Sequence, residues 1–427
     1  MRAAGHDAKL HLTLASAARV KRAGRNAEAL ALLREARALA SVPAASLDAE
    51  IAALEWKLAP RAEIAASWRH RSGEPGLGRF SDRRAEAQVS TALGLGRIWL
   101  RGELVDFDSV RPRASALARF GRNPELVAQT LADGVTRPLA ASGNWRRTGA
   151  GISAGFENDG LEAEAGLAPP GLGKRQATFR LAVSRKVARG LTASAAVARA
   201  PVADSLVSVA GGRDPVTGAG WGRMMRTSAT FGLSQDHDGN GFYGELRYGR
   251  YAGIAVRDNE GVEANGGAYW RLEKRGQATL TAGINLNVQS FRHNEYHFSF
   301  GSGGYFSPQS FVGIGTPLTW RLERARSEIR LSATPGFQTL REARSPVFPT
   351  DPAAQARLVA MQAVNPLIEP WYRHHTRSGL AFAAEASGSA WIARRTRLTD
   401  EASFNSFGGY TEARVMLRLQ QGFGGTR

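Results

Sequence analysis

Asp236, Asp238, Asn240 and Gly241 stand at the spacing that opens a calcium-binding loop, where alternate oxygen side chains wrap a hard cation and a glycine turns the chain. That loop needs a bidentate Glu at its twelfth position, and Arg247 stands there instead. Strand-like patterns flank the segment at Ser228–Leu233 and Phe242–Tyr248, so Asp-Gly and Asn-Gly read as a hairpin turn. His293 and His297 have the i, i+4 spacing of helical zinc ligands, but Phe298 and Phe300 alternate as in a strand. Such a strand would separate the two imidazoles by ~13 Å. His374 and His375 adjoin in a polar stretch. Glu162 with Glu164, and Glu245 with Arg247, have the types of an acid/base pair, yet two residues apart on a strand they share one face and read as lining. There is no cysteine, no GxSxG elbow and no glycine-rich phosphate loop. No catalytic residue, metal ligand or cofactor is assigned.

The elements that would position these groups change character along the chain. Residues 1–60 read as helical: Leu10, Leu14, Ala17, Ala18 and Lys21 keep a helical period, and Gly24 interrupts it. Ala27 to Ala40 is rich in helix formers, Pro43 ends it, and Ser46 is placed to cap a third helix over Ala49–Leu58. Ala17, Ala29, Ala36 and Leu33 sit where paired helices would cross. Residues 61–427 alternate with period two. In the last segment Ala413, Val415, Leu417 and Leu419 oppose Glu412, Arg414, Met416, Arg418 and Gln420. Leu280, Ala282, Ile284, Leu286 and Val288 likewise oppose Asn285, Asn287 and Gln289. Strand after strand carries long charged groups on one face, with aromatics near the ends of the other (Trp270, Trp320, Phe423). That is the pattern of a membrane barrel, apolar outside and polar inside, rather than of a soluble sandwich.

Roughly 16 antiparallel strands fill the span, enough for an aqueous lumen. Short turns alternate with long connections, such as 106–143 and 341–377, the first with room for a short helix within 113–131 lying across the mouth or in the lumen. No apolar run is long enough for a spanning helix, so membrane passage would require the closed barrel. The net charge of +18 is spread through the strands instead of gathered into a basic block, which argues for lumen and loop, not nucleic acid. Strand parity places Arg101, Arg180, Glu245, Arg247, Asn285, Asn287, Arg330, Arg414 and Arg418 on the pore-lining face. Met1 to Val20 is a poor export signal, because His11 and Arg19 fall within it, so further chain upstream is expected.

Four stretches resemble a known family. Residues 301–320 read GSGGYFSPQSFVGIGTPLTW and 211–226 read GGRDPVTGAGWGRMMR, with PTDPAAQ at 349–355 and WRHRSGEPGLGR at 68–79. Together they resemble the C-terminal region of the cellulose synthase operon protein C family, over about residues 60–423. The motif residues are Tyr305, Phe306, Ser307, Pro308 and Gln309, with Asp214, Pro215, Gly218 and Trp221. The resemblance implies an outer-membrane barrel passing cellulose, a β-1,4-glucan, from periplasm to exterior. It also implies a remnant of periplasmic tetratricopeptide repeats before the barrel, docking toward an inner-membrane cellulose synthase complex, and a stretch from Arg357 to His375 beyond the family pattern. A general porin, or a barrel enzyme with a convergent site, are the alternatives. Tyr305 and Phe306 read either as sugar-stacking faces or as a turn packed on the wall, as Gly303, Gly304 and Pro308 punctuate a bend there.

Overall fold

A computed structural model describes residues 2–40, 45–109, 111–141 and 145–424. Pro43, the expected helix end, lies outside the described residues. Three helices open the chain: α1 (Arg2–Arg22), α2 (Asn26–Leu39) and α3 (Ala45–Leu58). Ala17, Ala29, Ala36 and Leu33 are buried where they cross, because small side chains let the backbones approach. The third helix starts before the expected Ala49.

Sixteen antiparallel strands follow among the described residues and close on themselves. In chain order they are β1 (Arg61–Arg71), β2 (Phe80–Leu93), β3 (Gly96–Ser109), β4 (Arg146–Glu157), β5 (Leu161–Leu167), β6 (Ala177–Ala188), β7 (Leu191–Pro201) and β8 (Gly220–His237). Then come β9 (Asn240–Ile254), β10 (Asn259–Arg275), β11 (Ala278–Phe291) and β12, which runs in two segments (Ser310–Gly315 and Leu318–Arg324). The last are β13 (Ser327–Glu342), β14 (His375–Ala393), β15 (Thr396–Asn405) and β16 (Glu412–Gly422). β1 pairs with β16 from Arg61↔Gly422 to Arg71↔Glu412, which leaves no free edge.

The barrel is asymmetric end to end. Turns of two or three residues join β2–β3, β4–β5 and the later hairpins at the end where the helices sit. Asp236, Asp238 and Asn240 belong to one of them. Asp238 (φ 52°) and Gly239 (φ 80°) form the two-residue turn between β8 and β9, and the left-handed backbone there explains the residue types without a cation. The opposite end carries the long connections 72–79, 110–145, 202–219, 292–309 and 343–374. Two expectations are corrected at that end. Residues 292–300 form a loop, not a strand; Phe298 and Phe300 are buried by packing among loops, so their alternation did not mark a sheet. The 343–374 connection is not plain loop, since it holds the helix Pro352–Val364, whose N-cap Asp351 accepts the Ala354 N–H at 2.9 Å. Within the first long connection lie Ala114–Leu117 and Asn123–Asp133, both helical.

Candidate functional site: the barrel lumen and its mouth

Because side chains alternate across a strand, one register decides which faces the hydrocarbon and which the lumen. The outward face is apolar and bare: Leu104 is 64%, Phe231 63% and Leu380 89% exposed, with Trp270 near the short-turn end. Among the described residues no helix is long and apolar enough to cross a membrane, and this belt of strand side chains supplies the membrane-facing surface.

The inward face is a lattice of paired charges. Arg84 holds Asp82 at 2.9 Å and Glu103 at 3.1 Å, and Arg418 reaches Glu63 at 3.0 Å. Arg180 bonds Glu162 at 3.1 Å, Arg247 bonds Glu245 at 2.8 Å, and Glu263 lies 3.3 Å from Arg247. Amides fill the spaces between: Asn285 donates to the Tyr243 hydroxyl at 2.7 Å and to Asn265 at 2.9 Å, and Gln289 donates to Asn287 at 3.1 Å.

By strand register, the nine residues assigned to the lining share the strand face that carries these pairs. Two recesses gather six of them. Glu162, Arg180, Thr230, Glu245 and Arg247 line a cavity of about 440 Å³ on the β5–β9 wall. Arg69, Asp82, Arg84, Arg101, Arg414 and Arg418 line another of about 330 Å³ on the β16–β3 wall. Asn285, Asn287 and Arg330 stand elsewhere around the circumference. The histidines do not converge: His293 and His297 lie in the 292–309 loop, and His297 instead stacks on Tyr372 at 3.6 Å. Among the described residues no group of His, Asp and Glu is arranged to hold a metal ion.

At the long-loop end the connections fold inward and pack together. The short helix Leu206–Ala210, in the 202–219 loop, sets Leu206, Val209 and Ala210 against the inward-facing Phe80, Val105 and Phe107. A capping box between Ser205 and Ser208 starts this helix. Trp221, Phe120, Phe298, Phe300, Tyr305 and Phe348 belong to one buried cluster drawn from several loops. The motif residues build this layer. Asp214 accepts the Arg122 and Thr217 backbone N–H groups at 2.8 and 2.9 Å. Gly121 (φ 57°) lies so close to Asp214 and Pro215 that an added Cβ would stand 2.5 Å from the Asp214 Oδ1. Gly218 closes the turn that begins at Asp214, its N–H donating to the Asp214 carbonyl at 2.8 Å. The Ser307 hydroxyl accepts the Glu295 N–H at 2.8 Å, Gln309 donates to the Ser307 carbonyl at 3.1 Å, and the Pro308 carbonyl accepts the Phe291 N–H at 2.9 Å.

Tyr305 and Phe306 are buried, at 1% and 6% exposure. Tyr305 stacks on Tyr251 at 5.2 Å, and Asn259 donates to its hydroxyl at 3.0 Å. Their rings are therefore wall packing and offer no open face to a sugar. Sequence reasoning missed the ionic ties between loops. Arg122 bonds Asp351 at 2.6 Å, Arg71 bonds Asp204 at 2.9 Å, and Arg257 bonds the fully buried Glu295 at 2.7 Å. Burial pushes the Glu295 carboxyl up to about 7 against the pull of Arg257. Only the DP and SP dipeptides around these residues hinted at turns; the partners are up to 229 residues apart.

At the other rim α3 is fixed to the barrel. Arg97 of β3 donates to the Lys57 and Ala59 carbonyls at 2.7 and 2.9 Å, and Trp56 meets the inward Trp391 edge-on at 4.6 Å.

The chain is similar to known proteins. The family model described as "Cellulose synthase operon protein C C-terminus" matches residues 78–424. Cellulose synthase operon protein C of Pseudomonas fluorescens (strain SBW25) is 28% identical over 349 residues, 81% of this chain and 26% of that protein. The protein of the same name from Komagataeibacter xylinus is 26% identical, covering 73% of this chain and 24% of its own length. The chain thus spans about a quarter of the curated relatives that it matches. Among solved structures, a bacterial polysaccharide outer membrane secretin superposes with a TM-score of 0.53 at 9% identity, covering 86% of this chain and 99% of that one, a likeness of fold. A closed barrel with inward charge pairs, a mouth built on the DPVTG and YFSPQ segments, and a family match over most of the strands agree: the chain belongs to the cellulose synthase operon protein C family, of which it carries the C-terminal outer-membrane barrel.

Proposed function

We propose that this barrel is an outer-membrane export channel for a neutral β-1,4-glucan, passing the polymer from the helix-bearing, periplasmic end to the long-loop, exterior end. The observation that carries the reading is the pairing of inward charge. Glu162, Glu245 and Asp82, which face the lumen recesses, are each held by an arginine at 3.1 Å or less. Such a lining presents many hydrogen-bond donors and acceptors with little net field, which suits a hydroxyl-rich, uncharged chain that must bind weakly at many points and keep moving. Arg101, Arg180, Arg247, Asn285, Asn287, Arg330, Arg414 and Arg418 are the contacts we assign to it. Transport here needs no cofactor, since synthesis upstream supplies the push. Held in ion pairs, these carboxylates serve as acceptors and not as general acids, which favours a channel over a barrel enzyme.

A general porin would use the same wall, but the apolar loop layer across the mouth favours a gated path for a dedicated cargo over free diffusion of small solutes. The helices of residues 1–60, fixed to the rim through Arg97 and Trp56, would hold a polymer-delivering complex in line with the lumen. Deletion of the gene in a cellulose-producing cell tests the function. Polymer should accumulate in the periplasm and vanish from the medium, whereas unchanged secretion would sink the reading.

A further inference from the structure

On the outward wall of β8–β11 lies an open groove of about 480 Å³, lined mainly by apolar side chains. Its floor is a glycine pair: Gly244 stands opposite Gly266, with Leu233 on one side and Leu286 on the other. At the long-loop end of the same wall the outward positions from β7 to just past β11 form one rung: Arg199, Thr227, Arg250, Glu260 and Arg292. We propose that this wall docks an acylated glycolipid of the outer leaflet that bears more than one phosphate, with a chain in the groove and the phosphates on the arginines. The proposal rests on the channel reading, which makes the long-loop end the exterior one.

Three observations support it. The first is depth. On β9 the outward side chains run from Phe242 through Gly244, Leu246 and Tyr248 to Arg250. That is ~26 Å of strand, the length a tilted strand needs to cross the apolar band. The groove therefore lies within the hydrocarbon and the arginines at its boundary with water. The second is charge, since the rung holds three arginines and one carboxylate. Among the described residues neither Arg250 nor Arg292 has an ion-pair partner. Glu260 instead bonds the Tyr248 hydroxyl, and Arg199 donates to the Thr227 hydroxyl at 3.2 Å. On the β2–β4 wall, by contrast, Arg83 and Arg146 share Asp106 at 3.1 and 2.6 Å. The third is shape. A Cβ on Gly244 would meet nothing within 4 Å, so no neighbour requires glycine there; what the glycine supplies is the depth of the groove.

One arginine at that depth would simply extend to water. Arg199 and Arg250 instead flank Thr227 at two strand spacings, ~10 Å, where a phosphate can accept from both guanidiniums. Glu260 repels phosphate from its own position and divides the rung, which leaves Arg292 beside the exposed Ser290 as a second seat. Two separated seats suit phosphates on a saccharide frame better than a single phosphodiester. An acyl chain running down from such a headgroup passes Tyr248 and reaches the groove at Leu246, ~13 Å along the strand. An acidic protein segment would satisfy the arginines but leave the groove bare.

Native mass spectrometry of the detergent-folded chain, titrated with diphosphoryl lipid A, tests the site. Arg250→Gln should weaken binding about tenfold. Gly244→Phe fills the groove and should weaken it too. Phosphatidylglycerol, with its single phosphodiester, should bind less tightly, and an equal concentration of inorganic phosphate should not displace the lipid. Arg185→Gln, on the outward parity of β6 near the short-turn rim, should change nothing. Heat-modifiable gel mobility checks that each variant is folded; should Gly244→Phe fail to fold, Arg250→Gln and phosphatidylglycerol decide. Affinity unchanged in Arg250→Gln or in a folded Gly244→Phe overturns the proposal. So does an equal loss in Arg185→Gln, displacement by inorganic phosphate, or phosphatidylglycerol binding as tightly as lipid A. Failure of the channel reading looks different: cells would secrete cellulose equally well with the gene deleted, whatever the lipid affinity.

Discussion

At Arg122 a single guanidinium joins three loops. It bonds Asp351, faces the fully buried Asp214 at 3.8 Å and lies 4.6 Å over the Phe300 ring. Removing it would leave Asp214 buried beside no cation, a loss of about 3–5 kcal/mol to the local layer. Arg122→Ala should therefore raise amide exchange in 202–219 and 343–374 while leaving the strands protected, as read by hydrogen–deuterium exchange mass spectrometry. Glu295 predicts a pH effect in the same layer. Its folded pKa, about 7, stands above the 4.5 of the free side chain, so the neutral acid is the form that folding favours. The stability it contributes is complete below pH 4.5 and is lost as pH rises through 7. Exchange in 292–309 should speed up between pH 5 and 8, and Glu295→Gln should flatten that dependence. The same residues show where sequence reading stopped. Parity alone placed Arg180 and Arg418 inward. Nothing in the neighbours of Arg122 or Glu295 announced their partners, because those lie on other loops.

Among the elements, β15 breaks the apolar rule. Asp400 falls on the outward parity with Leu398, Ala402 and Phe404, in register with Gly388 of β14 and Leu417 of β16. A Cβ on Gly388 would stand 2.7 Å from its carboxylate, so the glycine makes room for it. A carboxylate facing hydrocarbon costs roughly 1–2 kcal/mol. Asp400→Leu should raise the urea midpoint of the barrel in lipid vesicles, followed by tryptophan fluorescence; an unchanged or lower midpoint would show that this carboxylate sits in water or against a partner. Strands were legible in the sequence because burial on one face alone imposes period two. Phe298 and Phe300 misled for the same reason: two buried aromatics two residues apart imitate alternation wherever loop packing buries both.

On the scale of the molecule, two properties follow from how charge and loops are distributed. Arg84, Arg180, Arg247 and Arg418 on the inward face are bound to inward carboxylates, so single-channel recordings should show weaker anion selectivity than the formal charge of +18 alone would give. Strong anion selectivity would mean that the pairs open in the membrane. The loop layer should also hold conductance low, and Arg122→Ala should raise it by loosening the mouth.

The sequence by itself determined the barrel, its strand parity, the inward set of charges and the asymmetry of turns and loops. Each follows from local periodicity, turn chemistry and length, which need no knowledge of distant residues. Only the tertiary structure decided that Tyr305 and Phe306 are wall rather than sugar face, and that the motif segments bind loop to loop. Those outcomes depend on which loops meet, and loops meet through contacts between residues hundreds of positions apart, where periodicity carries no signal.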